Sequence, residues 1–564
     1  MKTRLVGGAV AVVIALGVLL VPSPAPAEAA SSSCTGWTSR LVPPTTIRVL
    51  RAATRRTVTV DFRTYVEKVM PAEWGPANPA AALQAGAVAI KQYAWYYALE
   101  GHWRGGKDAA GRCYDVRDDS IDQVYDPART PAASHLAAID ATWWWSIRRD
   151  ERLALTGYRP GTKTCPGTID GYRLYQRNAA TCAKQGWSAE KILRTYYSTR
   201  SSPAMIIVLG RNDMTGDLRG DSAGVLTDPA SDEVTVRLYT NDPALDAATL
   251  AAASSQVVDT MAGEALLGRD TTDATGDGLL DVVQLVARED DTVVLEVLAA
   301  TPTGFSPAVT WWTSAAGQFV PTELSLVAGD FNANGRGDAA LLERTVETTR
   351  LLLLTSNGAS FTWRGQRLAV ERDLTAARAI GGDFDGDGRT DVAFLLPDGP
   401  PETATGTVIE VATTRNTADA SGSVTLSVAA PVPWLTEPTP LASIKAVAAD
   451  VDRNGRDDLY LVVPAGDDVV QVVAALSKGS AFSRRLLYAE TADPITWSLA
   501  KPVAADTNRD GRTDLLLVVD RGRDESGASL GITIIRLKSY GTSLGSRVLW
   551  KTDPGADWTL LDPR

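Results

Sequence analysis

One carboxylate, Glu73, stands alone in the short apolar loop "VMPAEWGPANP", residues 69–79, among Met70, Pro71, Ala72, Trp74 and Pro76. The nearest acids on either side are Glu67 and Glu100. Apolar surroundings disfavour the ionised form and raise a carboxyl pKa. A carboxylic acid that stays protonated near neutral pH can give its proton to a leaving group. On local sequence alone the plainer reading is a helix-flanking Glu whose charge faces water.

A second chemistry is written in a repeat. It is clearest in "GGDFDGDGRTDVAFLL" and recurs as "AGDFNANGRGDAALL", "AADVDRNGRDDLYLV" and "AADTNRDGRTDLLLV". Two looser copies are "RNDMTGDLRGDSAGVL" and "GRDTTDATGDGLLDVVQLV". Oxygens at positions 1, 3, 5 and 9 of such a turn can converge on one hard cation, and calcium takes six to eight oxygens. The candidate ligands are Asp213, Asp217 and Asp221; Asp273, Asp277 and Asp281; Asp330, Asn332, Asn334 and Asp338; Asp383, Asp385, Asp387 and Asp391; Asp450, Asp452, Asn454 and Asp458; and Asp506, Asn508, Asp510 and Asp514. Gly at position 6 allows the bend; the first loop has Leu218 there and is the weakest copy. An EF-hand starts in the same way but needs a Glu at position 12, where the fourth loop has Phe394. The alternative is a set of metal-free Asp/Asn/Gly turns. Six copies in one register favour calcium.

The elements that must hold these residues differ between two regions. Residues 1–29 combine Lys2 and Arg4, an apolar run from Leu5 to Val21 and the small-residue stretch "PSPAPAEAA", which together read as an export signal peptide. No later stretch is long and apolar enough to span a bilayer. The four cysteines, Cys34, Cys113, Cys165 and Cys182, all fall in the first third, and an oxidising destination makes two disulfides the expectation. Spacing leaves three pairings open; the pairing favoured is Cys34–Cys113 with Cys165–Cys182. Only two histidines, His102 and His135, and no CxxC leave little basis for a His- or Cys-rich metal site. An excess of 67 acids over 56 bases argues against a nucleic-acid partner.

From Thr46 to Arg200 the pattern is mixed α+β. "TIRVLRAATRRTVTVDF" reads as two strands around a basic turn, and "NPAAALQAGAVAIKQYAWYYALEG" as a helix capped by Asn78, with Pro79 in its first turn and Gly101 at its end. "SAEKILRTYY", from Ser188, opens a further helix. "WWWS" at 143–146 reads as packed helix aromatics, with a sugar-stacking platform as the other reading. "SSP" at 201–203 is a linker, which divides the chain into residues 30–200 and 201–564. Beyond it the first Asp of each loop, at 213, 273, 330, 383, 450 and 506, recurs every 53 to 67 residues between strand-like segments. That period suits propeller blades, with six favoured and seven possible.

Two resemblances add to this reading. "YVEKVMPAEW", "AALQAGAVAIKQYA", "YDVRDDSIDQVY" and "RLYQRNAATCAKQGWSAEKILRTYY" are similar, in the same order, to segments of the SpoIID/LytB family of peptidoglycan-acting proteins, over about Val58 to Tyr197. The resemblance implies a lytic transglycosylase that cleaves glycan strands to 1,6-anhydro products, with Glu73 as its single acid. It also implies Gln123, Tyr125 and Gln176 as polar groups of the sugar groove; buried hydrogen-bonding residues are the equal alternative. Some family members bind zinc in the third segment. The matching positions here are Arg117, Ile121 and Asp122, so no zinc is expected; the family's "GHG" histidine falls opposite Asp170. A non-catalytic wall-binding amidase enhancer is the rival function. The loops after Pro203 resemble FG-GAP/VCBS repeats of integrin-α-type propellers, which implies a calcium-stabilised propeller. The expectation is therefore a multidomain, secreted, extracellular or wall-associated protein whose partner is peptidoglycan. A wall amidase, or a surface ligand bound by the propeller as an adhesin, is a further partner to consider.

Overall fold

The computed structural model describes residues 34–564 except 35, 38–39, 41–42, 45, 101, 104, 144, 150–151, 209–211, 217–218, 241–253, 262, 401, 419–423, 490–493 and 509. The expected signal peptide lies outside the described residues, as does Asp217. Gly36–Arg564 make up one compact unit with two regions of different architecture: a small α+β part and a much larger all-β part.

In the first region a hairpin of β1 (Thr46–Arg51) and β2 (Arg56–Asp61) leads directly into helix α1 (Phe62–Glu73). Asp61 starts that helix by accepting the Thr64 N–H at 2.7 Å. α1 runs through Pro71, which lacks one N–H in the last turn, and the next bond, from Trp74 N to Met70 O at 2.9 Å, closes normally. Glu73 is therefore the last residue of a helix rather than part of a loop. Helix α2 (Ala80–Ala98) is the hub of the core, with Leu83, Ala87, Ile90, Ala94 and Trp95 buried. Its cap position is Pro79 and not Asn78, because the Asn78 amide donates instead to Gly75 O at 2.8 Å and closes the preceding turn. The helix ends at Leu99, in extended backbone, before Gly101.

The remaining elements are β3 (Val116–Arg117), α3 (Ala133–Asp140), β4 (Trp145–Arg149), β5 (Arg152–Leu153), β6 (Gly157–Arg159), β7 (Arg173–Tyr175), α4 (Gln176–Lys184) and α5 (Ala189–Tyr197). Ser188 caps α5 by accepting Lys191 N at 3.2 Å. The described part of the tryptophan run is not helical: Trp145 opens strand β4, and Trp143 lies in a turn and is buried in the core, while Trp144 is outside the described residues. β8 (Met205–Val208) follows the "SSP" stretch and pairs with β4, so the first region's sheet takes in chain beyond Pro203.

Among its described residues the all-β region contains six four-stranded antiparallel sheets. Five are built from consecutive chain. The remaining sheet joins Ser222–Thr227, Glu233–Tyr239 and Ser254–Thr260 to Leu561–Pro563, which directly follows a turn. One edge strand of every sheet contributes to a single cavity of about 500 Å³, represented by Asp270, Leu326, Ile380, Val447, Val503 and Pro563. The second strands read as near-continuous apolar runs, such as "DVAFLLP" at 391–397, because both of their faces are covered.

Cys165 and Cys182 form a disulfide across 17 positions of sequence, Cys34 and Cys113 are also disulfide-bonded, and no cysteine is free among the described residues. A loop of that size corresponds to about 3 kcal/mol in chain-entropy treatments. Reduction should therefore lower the melting temperature of the first region and leave the sheet region unchanged by calorimetry. Four titratable thiols in the unreduced protein would contradict this.

Candidate functional site

Four segments far apart in sequence meet at Glu73. Its carboxylate accepts the Val124 N–H at 3.2 Å and the hydroxyl of Tyr158. Its carbonyl accepts the amide of Gln176 at 2.8 Å. The carbonyl of the next residue, Trp74, is 2.9 Å from Nε2 of the buried His135. The Trp74 indole lies flat on α2 at Gly86, where a Cβ would come within 2.5 Å of the ring. Burial pushes the half-buried Glu73 carboxyl above its ordinary range, against the opposing pull of Val124, Tyr158, Arg129 and Arg159. The apolar neighbours noted in the sequence thus act as expected, through a helix end rather than a loop.

Of the polar residues expected to line a sugar groove, Gln123 is fully buried. It accepts from Tyr65 Oη at 3.0 Å and donates to Ile90 O at 3.1 Å and Tyr158 Oη at 3.2 Å. Tyr125 is buried and stacks on Tyr65 at 5.3 Å. Both are interior groups: Gln123 holds Tyr158, and Tyr158 holds Glu73. Gln176 positions the Glu73 backbone. Tyr158, but not Glu73, lines an open cleft. It measures about 460 Å³ and is lined by Tyr93, Tyr97, Asp122, Tyr158, Arg159 and Tyr172, among others. Aromatic rings with interspersed polar groups suit a sugar chain. Asp122 is occupied by Tyr93 Oη at 3.0 Å and Arg117 N at 2.8 Å, and Asp170, also on the wall, by Arg173 and Tyr175. Sequence reasoning missed Tyr158, Tyr93 and Tyr172; the spacing of Tyr93 and Tyr97, four apart on α2, was the available signal for part of the wall.

The acidic loops share one architecture. In loops two to six the position-1 carboxylate accepts the N–H of position 6, at 2.7 to 3.0 Å. The position-5 side chain accepts the N–H of position 7, at 2.8 to 3.0 Å. In the same loops position 9 opens the second strand and accepts an N–H from the end of the third or from the hairpin that follows it, as from Ser477 to Asp458 at 2.7 Å and from Thr414 to Asp391 at 2.7 Å. Gly388 and Gly455, at position 6, have φ of +83°, which explains the glycine. The loops are also tied to one another. Position 8 of each donates its N–H to the position-1 carbonyl of the loop before: Leu280 to Asp213, Gly337 to Asp273, Thr390 to Asp330, Asp457 to Asp383, Thr513 to Asp450. Gly220 of the first loop donates to Asp506 of the last at 2.8 Å.

Among the described residues two loops gather three carboxylates with their oxygens within 4.8 Å of one another: Asp383, Asp385 and Asp391, and Asp450, Asp452 and Asp458. In the latter, Asp452 Oδ1 is buried and has no hydrogen-bond partner among the described residues. A hard cation fits that donor set and would satisfy that oxygen. Elsewhere the set is looser. Asn332 turns its amide to Asp338 at 2.6 Å, Asn508 does the same to Asp514 at 3.1 Å, and Asp277 is exposed. Burial raises Asp385 to about 6, Asp281 and Asp506 to about 7 and Asp458 to about 8, with neighbouring carboxylates adding to the rise. Burial likewise pushes Asp273, Asp338, Asp383 and Asp391 well above the usual carboxylate range.

Residues 51–143 match the SpoIID family, described as stage II sporulation protein. That span holds Glu73, Gly86, Gln123, Val124 and His135. No curated protein sequence matches the chain. Among solved structures, a lectin from Agrocybe aegerita specific for non-reducing terminal N-acetylglucosamine is 14% identical, with a TM-score of 0.37, over 62% of this chain and 92% of its own. The fucose-specific lectin of Aleuria aurantia is 9% identical, with a TM-score of 0.33, over 59% and 93%. Likenesses this weak carry no functional argument.

The Trp74–Gly86 contact generates a test. In Gly86→Ala the new methyl must displace a fully packed indole, at a typical overpacking cost of about 1–3 kcal/mol. Trp74 is 2% exposed and has nowhere to go. The variant should melt lower and lose any Glu73-dependent activity, whereas an exposed-site control, Gly186→Ser, which meets nothing within 4 Å, should act only through its local backbone. An unshifted melting curve for Gly86→Ala would remove the contact from the account.

Proposed function

We propose that this is an exported peptidoglycan-acting protein whose first region is a lytic transglycosylase with Glu73 as its one acid/base. The observation that carries the reading is a carboxyl raised by burial, bonded to a tyrosine that forms the wall of an aromatic cleft. The match to SpoIID supports a cell-wall role. Protonated Glu73 gives its proton to the glycosidic oxygen, and the C1–O bond breaks with the electron pair going to that oxygen. The carboxylate then takes the proton of the sugar's own C6 hydroxyl while O6 bonds to C1. The proton count on Glu73 is restored and no water is consumed, so the second carboxylate of an ordinary glycosidase is not required. This agrees with Asp122 and Asp170 being engaged elsewhere. Tyr158, held by Gln123, orients the carboxyl.

A second reading has one observation in its favour. Glu73 already accepts two hydrogen bonds and does not itself line the cleft, which suits a wall-binding amidase enhancer. Solubilisation of purified sacculi separates the two. Glu73→Gln should reduce release by about 10²–10⁴-fold, the usual weight of a general acid. Activity of the unaltered protein should fall as pH rises, with a midpoint above the ordinary carboxyl value, because the protonated form is needed first. Release that is equal in both proteins would leave only the enhancer.

For the second region we infer a closed six-bladed propeller with calcium in its loops, of the FG-GAP/VCBS kind. The six sheets, the strand Leu561–Pro563 that completes the first of them and the loop-to-loop bonds that return from Gly220 to Asp506 support closure. Calcium is supported by the donor sets of the fourth and fifth loops. Each ion bound only by the folded state stabilises it by about 2.7 kcal/mol at a hundredfold excess over its Kd. A chelator should therefore lower the melting temperature of the sheet region by several degrees, and Asp383→Ala with Asp387→Ala should reproduce part of the loss. An unchanged transition with no calcium by elemental analysis would reduce the loops to acidic turns.

A further inference from the structure

The two loops with the tightest carboxylate sets both lie against the first region. Arg63, in the first turn of α1, lies against the fourth loop; a Cβ on Gly388 would meet its Nη1 at 3.1 Å. Arg63 is also near enough to Asp330 of the third loop to stabilise that carboxylate, and Arg389 does the same for Glu67 on α1. On the fifth loop, Arg453 pairs with Glu190 of α5 at 3.1 Å and donates to Ile206 O of β8 at 3.3 Å. The Gly455 Cα faces the Ala141 carbonyl, which a Cβ would approach to 3.0 Å. Arg63 and Arg453 are about 90% shielded from solvent.

We propose that this loop face is the docking surface for the first region, and that cation occupancy of the fourth and fifth loops holds α1 in place. The proposal rests on the calcium reading above. The contact points are the position-6 glycines and their neighbours, and their backbone is set by the position-1 carboxylates, through Gly388 N to Asp383 at 2.9 Å and Gly455 N to Asp450 at 3.0 Å. Loss of an ion would remove the common ligand that ties positions 1, 3 and 9 of each loop together, which loosens the turn and shifts both contact points. With one divalent ion the fourth loop, which has four aspartates, still carries formal charge −2, so Arg63 remains attracted. Glu73 sits at the far end of the same helix, ten residues or about 15 Å from Arg63. The sheet region thereby sets the bearing of the helix that carries the acid.

Hydrogen exchange by mass spectrometry on the full chain, with calcium and with chelator, tests this. Chelation should speed exchange in residues 62–73 by about tenfold, as expected when a docked element is released. Arg63→Gln should show that faster exchange with calcium present, while elemental analysis finds wild-type calcium content. Glu190→Gln, which breaks the other contact and touches no loop carboxylate, should act in the same direction. If calcium is bound and removable but α1 exchange is unchanged by chelator, or if both variants keep full protection, the docking proposal fails and the calcium reading survives. If the protein binds no calcium, both fail.

Discussion

The structure of the candidate site depends on how one carboxyl is kept partly out of water. Glu73 ends a helix, and the residue after it is a tryptophan locked between His135 and a glycine of α2. That lock leaves the side chain of Glu73 little freedom. It faces the backbone N–H of Val124 on one side and Tyr158 on the other, and burial outweighs these favourable partners. Desolvation is the effect that raises a carboxyl pKa; hydrogen bonds to the ionised form oppose it. The surrounding groups come from every helix of the region's core except the last, so the acid is as well supported as the core itself.

The loops of the sheet region show a comparable dependence on carboxylates, with a different outcome. Position 1 organises its own turn, and position 9 joins the turn to the end of the third strand of its sheet or to the hairpin that follows it. Because position 8 donates to the preceding loop, a disturbance in one loop reaches its neighbour through a single hydrogen bond. Serines reinforce the link: Ser356, Ser477 and Ser539 donate to Ala274, Phe384 and Val451 of the loop before at 2.6, 2.5 and 2.9 Å. Buried like charges at these positions raise their own pKa values, which is the cost a divalent ion would offset.

Much of this was legible in the sequence, for physical reasons that can be named. A repeat of aspartates with glycine at a fixed offset reports a turn whose backbone needs positive φ, and Gly388 and Gly455 adopt it. A lone Glu in apolar surroundings reported desolvation, and the hairpin at 46–61 and the helix at 188–197 followed from strand pattern and cap. What was not legible depended on distance in the chain. The apolar stretch around Pro71 reads as a loop, yet α1 continues through the proline to Glu73 with the loss of one backbone bond. Asn78 looked like a cap, but its amide had a nearer carbonyl at Gly75. "WWWS" carried no periodicity that separates helix from strand, and pairing with Met205–Val208 decided it. Tyr158 gave no local signal at all. Its role comes from Gln123, a residue the sequence placed in the groove and the fold placed behind it.

In the proposed reaction one carboxyl, returned to its starting protonation state by the substrate's own hydroxyl, cleaves the glycan. The decisive measurement is mass spectrometry of the fragments released from purified sacculi. A lytic transglycosylase releases muropeptides lighter by one water than their hydrolysed counterparts, carrying a 1,6-anhydro end, and Glu73→Gln should release none of them. Fragments with an ordinary reducing end, or anhydro fragments that persist in Glu73→Gln, would contradict it.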